Sequence, residues 1–415
     1  MCVVSTNVGW IKQSGSTSKK KRIRHPSILL SRDQATLLIG MFFKDQGIKT
    51  KNLFKYLAVF SIISLVMVAP IKAEINNQTL AVLVNTNDPE SLEIAKYYRQ
   101  ARLIPESNII YLSFKNNVNS LTEAEFLQID SQLKMKVTSN IQAYVLAWRK
   151  PWRVGCMSIT SAFSLGFSKE YCAEACNLTK PVSYFNSRST QPYTDFEIRP
   201  SMLLSANSVD AVKQLIDRGV ASDYTRPDAS AYLVSTSDKQ RNVRALYYPR
   251  IKKTLGKLLN IQVVKADAIK NKQDVMFYFT GISREKFIDT NEYIPGAMAD
   301  HLTSAGGVLF GGSQMSVLDW VDAGVSGTYG TVVEPCNFKQ KFPNPGIVMQ
   351  KYMSGNSLIE AYWKSVQMPG QGVFVGEPLA SPYKGCKYQL GIQGEYNYVV
   401  QQPDNLVERS AKNCH

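Results

Sequence analysis

Largely apolar runs alternate with amphipathic segments from Leu80 onward, and this alternation limits the fold more than any other feature of the chain. Residues 80–84, 108–112 and 143–148 have the composition of strands that are buried on both faces. The segment after the first run begins with Asp88 and Pro89, which are typical of a helix N-cap and first turn. This β-α-β-α-β order predicts a parallel sheet with right-handed crossovers.

The second half of the chain repeats the pattern. We predict a helix over 296–307 and strands at 231–238, 261–264, 275–281, 308–312 and 327–333. Ser357 and Glu360 form a capping-box pattern ahead of an apolar stripe, which predicts a further helix. The predicted fold class is therefore α/β, with a doubly wound, mainly parallel sheet and helices on both faces. Two similar subdomains and one long sheet both fit this pattern.

The first 73 residues differ in composition from the rest. They hold 12 of the 48 Lys and Arg residues but 2 of the 33 Asp and Glu residues, so most of the formal charge of +15 lies there. Three lysines precede an apolar stretch over 57–69, which is the layout of a secretory signal peptide with cleavage near Ala73. An uncleaved anchor is the alternative, although a spanning helix needs about 20 apolar residues. Met41 is a second candidate start, which would make 1–40 a miscalled extension.

Five segments follow from these patterns. They are a basic leader with signal peptide (1–73), a first α/β subdomain (74–148), an irregular cysteine-bearing excursion (149–207), a second α/β subdomain (208–385) and a C-terminal tail (386–415). Because the basic charge is concentrated in the leader, we expect no nucleic-acid partner. We expect a periplasmic or extracellular protein that would touch the membrane only through an uncleaved signal segment.

Cysteines in an exported chain meet oxidising conditions, where they usually pair. Six remain once the leader's cysteine is set aside, and their connectivity cannot be deduced from sequence. The "YCAEAC" cysteines lack the further ligands that a zinc site needs, so we expect no metal and no cofactor. Cys336 could also pair, with Cys386 as one partner. The disulfide candidates are Cys156, Cys172, Cys176, Cys386 and Cys414.

Long motifs cover nearly the whole folded part of the chain. They include "YLVSTSDKQRNVRA", "DHLTSAGG", "GTYGTVVEPCNFKQKFPNP" and "SLIEAYWKSVQMPGQGVFVGEPLASP". These motifs resemble an uncharacterised family of exported bacterial proteins, which occurs in genomes that carry exosortase-type protein-sorting systems. The resemblance implies export and a link to envelope or extracellular-polymer biology, and it brings no known activity.

The order of strands and turns in the second half is also similar to that of caspase-like cysteine peptidases of the gingipain kind. In that scaffold a catalytic His follows one strand in a Gly-His-Gly turn, and a catalytic Cys follows the next strand. Here Ile282 stands where the His would follow Gly281, and Ser313 stands where the Cys would follow the predicted strand 308–312. The resemblance therefore implies a caspase-like second half with a degenerate dyad.

Two histidines lie outside the leader, His301 and the C-terminal His415. One hypothesis pairs His301 as general base with Cys336 as nucleophile, because a cysteine reacts as a thiolate and needs a base or a positive helix end nearby. Asp300 and Glu334 are the neighbouring acids. We place His301 in the predicted helix and Cys336 just past a strand, at the edge where parallel sheets bind ligands. The competing interpretation is that both residues are structural.

Four further residues are candidates for binding. Asp238 follows a predicted strand at the same edge, and Arg241 and Arg244 lie one helical turn apart, a spacing that suits an anionic group. Glu377 lies in the late turn "VGEPL", which the caspase-like comparison singles out.

Three functions fit the sequence. The first is a non-catalytic binding or assembly factor of the cell envelope, with envelope proteins or an extracellular polymer as partners. The second is a peptidase-like cysteine hydrolase that uses His301 and Cys336, and the third is a polysaccharide-acting enzyme that uses a pair of carboxylates. A free Cys336 thiol would distinguish the second from the first.

Overall fold

The computed structural model describes residues 74–173, 176–390 and 396–400. The predicted leader and signal peptide, Cys414 and His415 lie outside these ranges. Within them, no helix has both the length and the apolar character that crossing a membrane requires.

Fifteen strands are assigned in the described ranges. They are β1 (Leu80–Asn85), β2 (Ile109–Leu112), β3 (Ser120–Leu121), β4 (Ala143–Leu146), β5 (Arg153–Val154), β6 (Met157–Ser158), β7 (Ser201–Leu203), β8 (Ser230–Ser235), β9 (Asn260–Lys265), β10 (Val275–Thr280), β11 (Tyr293–His301), β12 (Gly327–Thr331), β13 (Gly372–Gly376), β14 (Cys386–Leu390) and β15 (Tyr396–Val400).

Nine α-helices and six short 3₁₀ helices connect these strands in the same ranges. The α-helices are α1 (Pro89–Arg102), α2 (Glu123–Lys136), α3 (Ile159–Leu165), α4 (Pro192–Phe196), α5 (Val209–Ser222), α6 (Tyr248–Leu255), α7 (Leu318–Ala323), α8 (Pro345–Met353) and α9 (Leu358–Ser365). The 3₁₀ helices are Glu106–Asn108, Lys169–Tyr171, Asn242–Tyr247, Ile288–Thr290, Lys339–Lys341 and Pro369–Gln371.

Ten of these strands form a single sheet in the order β2-β1-β4-β7-β13-β12-β11-β10-β8-β9. The strands β2-β1-β4-β7 run parallel to one another, and so do β12-β11-β10-β8-β9, while β13 lies between the two groups and runs antiparallel to β12. Glu377, after β13, bonds both to Ser326 just before β12 and to Arg102 at the end of the helix that precedes β2, so the amino ends of the two groups lie at the same edge. The predicted α/β class with a mainly parallel sheet is therefore confirmed, and of the two arrangements left open, the one long sheet is observed. The smaller sheets are β3-β5-β6 and β14-β15.

Both faces of the sheet are covered. Side chains alternate between the faces along a strand, and Phe277 and Phe279 of β10 belong to the main core cluster, whereas Tyr278 belongs to a second cluster with Trp320. All three β10 aromatic residues are fully buried. This double burial explains why the strands are continuous apolar runs in the sequence.

Two helices begin with the N-terminal caps that the sequence predicts. The Asp88 carboxylate accepts a hydrogen bond from the backbone N–H of Glu90 at 3.0 Å at the start of α1. Ser357 and Glu360 form the predicted capping box at the start of α9.

Two predictions around residue 300 are wrong. The segment 296–307 is not a helix, because Tyr293–His301 forms β11, and 308–312 is not a strand but part of a loop over 302–317. The cause is that β11 is buried on both sides from Ala297 to His301. A buried strand and a buried helix segment share the same continuous apolar pattern, so periodicity does not distinguish them.

The segment 149–207 contains more regular structure than its composition predicts. It supplies β7 to the main sheet and carries helices α3 and α4. A disulfide between Cys156 and Cys172 closes one of its loops, with Cα atoms 5.4 Å apart. A second disulfide joins Cys176 to Cys336, with Cα atoms 5.5 Å apart, and so ties the segment to the loop after β12.

A buried ion-pair network lies at the amino edge of the sheet, where the parallel strands begin. Because β13 runs antiparallel to β12, Glu377 lies at this amino edge, and its carboxylate is fully buried. It pairs with Arg102 of α1 and accepts a hydrogen bond from the Tyr98 hydroxyl at 2.8 Å. Arg102 also pairs with Asp223, which follows α5. Glu377 therefore joins helices to the sheet, and its position gives no support to the predicted binding role.

Candidate functional site

The carboxyl ends of the parallel strands meet at one edge of the sheet, which is the edge where open α/β sheets bind ligands. In such a sheet, a ligand-binding crevice forms between two neighbouring strands whose following connections run to opposite sides of the sheet. The strand order β2-β1-β4 places one such point between β1 and β4, and the order β10-β8-β9 places another between β8 and β10. The residues at these two points are the first candidates for a functional site.

The two positions of the caspase-like dyad fall beside the second point. β10 ends at Thr280, and Gly281 and Ile282 follow it as predicted. A Cβ at Gly281 would collide with the Arg241 carbonyl, so the backbone itself fills this turn. Since β11 is the next strand and ends at His301, the position after it belongs to Leu302 and Thr303. Ser313, which the sequence placed there, lies in the exposed loop instead.

His301, the histidine of the described ranges, has both ring nitrogens engaged. Trp320 Nε1–H donates to Nδ1 at 2.9 Å, which leaves the proton on Nε2, and Nε2 donates to the Met315 carbonyl at 3.1 Å. The residue is 1% exposed, and burial lowers its pKa to about 4. His301 is therefore a neutral packing residue without a free nitrogen to accept a proton from a nucleophile.

Cys336 carries no thiol in this structure because it is bonded to Cys176. Its backbone N–H donates to the Glu334 carboxylate at 2.7 Å, which closes the turn after β12. All five cysteines in the described part of the chain, including Cys386, are disulfide-bonded. The structure therefore does not assemble the predicted pair of His301 and Cys336, and Glu334 serves the local turn.

Asp300 and Arg244 form an ion pair inside the core. Each is 1% exposed, and the Arg244 guanidinium also donates to the carbonyls of Thr280 at 2.6 Å and Pro343 at 3.2 Å. Burial raises the pKa of Asp300, and Arg244 opposes that shift. The predicted roles of Asp300 in catalysis and Arg244 in anion binding have no support, because neither group reaches solvent.

Asp238 lies at the predicted carboxyl edge of the sheet and forms an ion pair with Arg241 there. Arg241 Nη1 lies 2.9 Å from the Asp238 carboxylate, and its Nε donates to the Thr303 hydroxyl at 3.0 Å. Thr303 in turn donates to the side-chain carbonyl of Gln314 at 2.7 Å. An amide oxygen is a poor base, so Thr303 is not activated as a nucleophile at the position that follows β11. This chain of contacts fixes the start of the 302–317 loop.

The 302–317 loop crosses the edge from β11 to the end of β4. Its start is pinned at Gly307, which packs so closely on Gly330 of β12 that a Cβ would collide with the backbone there. Its tip carries Phe310, whose ring centroid lies 4.9 Å from Lys150 Nζ and 5.5 Å from Arg149 Cζ. Since β12, β13 and β7 lie between β11 and β4, the loop spans about 19 Å at about 4.8 Å per strand.

A cavity of about 380 Å³ lies under Phe310 at the switch point between β1 and β4. Arg149 Nη1 donates to both Glu90 carboxylate oxygens at 2.9 Å, and its Nε and Nη2 donate to the carbonyls of Ala206 and Asn207, which fixes the guanidinium there. Burial raises the pKa of Asp88, which caps α1 beside it. The lining residues are Asp88, Glu90, Asn116, Asn117, Arg149, Lys150 and Phe310.

A second cavity, of about 270 Å³, also has Phe310 in its lining. It is lined by Asn207, Arg284, Leu309, Phe310, Gly311, Gly312, Gln314, Ser316 and Asp319. Burial raises the pKa of Asp319 here, and Arg284 opposes that shift.

Sequence reasoning missed Arg149, Lys150 and Phe310. One signal was available, because Arg149 and Lys150 follow the predicted strand 143–148 directly, and a basic pair at the carboxyl end of a parallel strand is well placed for a ligand. Phe310 had no such signal, since it was assigned to a strand that does not form.

Comparison with known proteins adds little to this geometry. No family model matches the chain, and no curated protein sequence does. Among solved structures, a chain described as "Structure of Protease" is similar with 10% identity and a TM-score of 0.41, over 76% of this chain and 81% of that one. A TM-score this low does not establish a common fold, so the likeness says nothing about activity.

Proposed function

We propose that this protein is an exported, non-catalytic binding factor on a caspase-like α/β scaffold, and that its ligand site is the pair of cavities beside Phe310. The observation that carries the proposal is the cavity at the β1/β4 switch point. Its charged side chains are fixed by the fold and are only partly buried, so they remain available to a ligand.

The contacts of His301 and of the described cysteines favour binding over thiol chemistry. A cysteine hydrolase needs a thiolate and a neighbouring base. The described cysteines are all disulfide-bonded, and both ring nitrogens of His301 are engaged. The disulfides also support export, because such bonds persist in oxidising compartments. Cleavage near Ala73 and a partner in the envelope or an extracellular polymer belong to the same proposal.

A cleavage assay tests the non-catalytic part. Purified, non-reduced protein is incubated with a library of internally quenched peptides, alongside reduced protein and a Cys176→Ser/Cys336→Ser variant. We expect no cleavage in any sample. Cleavage that appears on reduction and is absent from the double variant would replace the proposal with the cysteine-hydrolase alternative.

A retention assay tests the binding part. Labelled wild-type protein is applied to isolated cell envelopes and to extracellular polymer from the producing bacterium, beside a Lys150→Ala/Phe310→Ala variant. We expect retention of the wild type on one of the two materials and loss of retention in the variant. Equal retention of both proteins would remove the cavities from the proposal.

A further inference from the structure

Phe310 lines both cavities, and it is the residue that they share. Its ring is partly exposed and is held from one side by the cations of Arg149 and Lys150. The loop beyond it is open, since no atom lies within 4 Å of a Cβ built on Gly311. An extended ligand can therefore run from one cavity to the other across the ring.

The formal charges of the lining cancel in each cavity. Arg149 and Lys150 face Asp88 and Glu90 in the first cavity, and Arg284 faces Asp319 in the second. Polyanions such as nucleic acids bind to surfaces with an excess of Lys and Arg, which release counterions from the polymer. A lining with as many carboxylates as cations disfavours such polymers, and by the same argument it disfavours polycations. The charge balance favours a neutral ligand.

The uncharged polar groups of the lining are amides and a hydroxyl. They come from Asn116, Asn117, Asn207, Gln314 and Ser316. Some of their capacity is used within the protein, since the Gln314 side-chain carbonyl oxygen accepts from Thr303 and Ala305 and the Asn207 amide donates to Asp322. The Gln314 amide N–H groups, the Asn207 side-chain carbonyl oxygen and the Asn117 amide remain to face a ligand. Beside Phe310, the apolar side chain that lines these two cavities is Leu309. Peptides bind through pockets for their apolar side chains, and the lining offers little of that kind. Amide donors and acceptors beside one aromatic face match the hydroxyl groups and the apolar face of a sugar ring.

We propose that the two cavities form one groove for a neutral polysaccharide chain, with a sugar ring stacked on Phe310. This inference rests on the proposed function and names its ligand class. The ring supplies contact area, and the amides and charged groups on either side bind hydroxyl groups of the neighbouring sugars. The cations behind Phe310 hold the ring in place, so it is ordered before the ligand arrives.

The test is titration calorimetry with neutral hexasaccharides of glucose, mannose, galactose and N-acetylglucosamine. A galacturonate hexamer, a single-stranded DNA hexamer and a mixed hexapeptide library are the comparison probes. Phe310→Ala removes the ring and Phe310→Trp keeps an aromatic face. The matched control is Phe287→Ala, because Phe287 is an exposed phenylalanine that also lies near a lysine, Lys270, in a loop that lines neither cavity.

We expect at least one neutral hexasaccharide to bind, with a loss of about tenfold in affinity for Phe310→Ala. Phe310→Trp should retain binding and Phe287→Ala should leave it unchanged, while thermal unfolding confirms that each variant is folded. If no neutral hexasaccharide binds, or if binding is insensitive to Phe310→Ala, the inference is overturned.

Two other outcomes separate this inference from the proposed function. If a charged probe or a peptide binds and Phe310→Ala abolishes that binding, the groove remains a binding site but the sugar assignment is wrong. If a neutral hexasaccharide binds and is recovered as shorter sugars, the sugar assignment holds. In that case the non-catalytic function gives way to the polysaccharide-acting enzyme.

Discussion

The two edges of the sheet use the same kinds of charged residue for different purposes. At the amino edge, Glu377 is fully buried and its pair with Arg102 is almost completely shielded from water. At the carboxyl edge, one guanidinium nitrogen of Arg149 donates to both carboxylate oxygens of Glu90, but 46% of the Glu90 side chain is exposed, beside a cavity.

This difference in burial decides what each pair can do. Charges taken out of water must remain paired, so the amino-edge network is committed to holding α1 and α5 against β13. A charged group that is in contact with water can lose that water and bind a ligand in its place. Burial therefore separates a structural ion pair from a binding group more clearly than residue type does.

The largest expected effect concerns the covalent tie at the carboxyl edge. Cys176 and Cys336 are 160 residues apart, whereas Cys156 and Cys172 are 16 apart. Closing a longer loop removes more entropy from the unfolded chain, so a Cys176→Ser/Cys336→Ser variant should lose about 5 kcal/mol of unfolding free energy and a Cys156→Ser/Cys172→Ser variant about 3 kcal/mol. Urea unfolding of the two variants measures the difference. A larger loss from the short loop would contradict this ranking.

Glu377→Gln tests the amino edge directly. It leaves the buried Arg102 guanidinium without its main partner, and breaking a buried pair costs about 3–5 kcal/mol. The matched change at the carboxyl edge, Glu90→Gln, breaks a half-exposed pair and should cost about 1 kcal/mol or less. The two free energies of unfolding are compared under identical conditions. Equal losses would remove the distinction between the edges.

The next prediction concerns two buried groups near the carboxyl edge that titrate in opposite senses. Burial raises the pKa of Glu285 from 4.5 to about 7, while its carboxylate accepts a hydrogen bond from the Tyr278 hydroxyl at 2.6 Å. The folded state therefore holds this proton longer than the unfolded state, and stability falls as pH rises from 4.5 to 7. Burial lowers the pKa of His301 from 6.5 to about 4, so its contribution is lost as pH falls through that window.

These two contributions oppose each other between about pH 4.5 and 6.5. Each amounts to about 3 kcal/mol, since one pKa unit corresponds to about 1.4 kcal/mol. Glu285→Gln removes the contribution that decreases as pH rises. The difference in unfolding free energy between the variant and the wild type should therefore change by about 3 kcal/mol from pH 4.5 to 7. Denaturant unfolding across this range measures it. A constant difference between the two proteins would show that Glu285 titrates normally.

The smallest effect is expected at Asp238. Its pair with Arg241 is about one-quarter exposed on both sides, and such pairs contribute about 1 kcal/mol or less. Asp238→Asn should therefore leave the melting temperature almost unchanged. A loss comparable to that of Glu377→Gln would place this pair with the buried network.

The fold class and most strands could be predicted from the sequence, because a sheet covered on both faces imposes continuous apolar runs. The same burial concealed β11, whose run from Ala297 to His301 has no period that separates strand from helix. As a result, His301 was predicted to lie in a helix, and a strand was predicted at 308–312, where the structure has a loop.

The site was harder to predict because it depends on long-range placement. Asp238 was placed at the carboxyl edge from local order alone, but its ion pair with Arg241 had no sequence signal, since Arg241 was expected to pair with Arg244 around an anion. The disulfide of Cys336 with Cys176 spans 160 residues, and no local pattern identifies such a partner. Phe310 reaches Lys150 only because a loop crosses three strands, which depends on strand order rather than on spacing.

The central claim is that the carboxyl edge binds a ligand and does not react through a thiol. Differential alkylation with mass mapping of the exported, non-reduced protein tests it most directly. The account predicts that Cys336 stays unlabelled and is recovered in a peptide joined to Cys176, with Cys156 joined to Cys172. A free Cys336 that labels faster than a model thiol at neutral pH, and more slowly in His301→Ala, would contradict the account and favour the hydrolase.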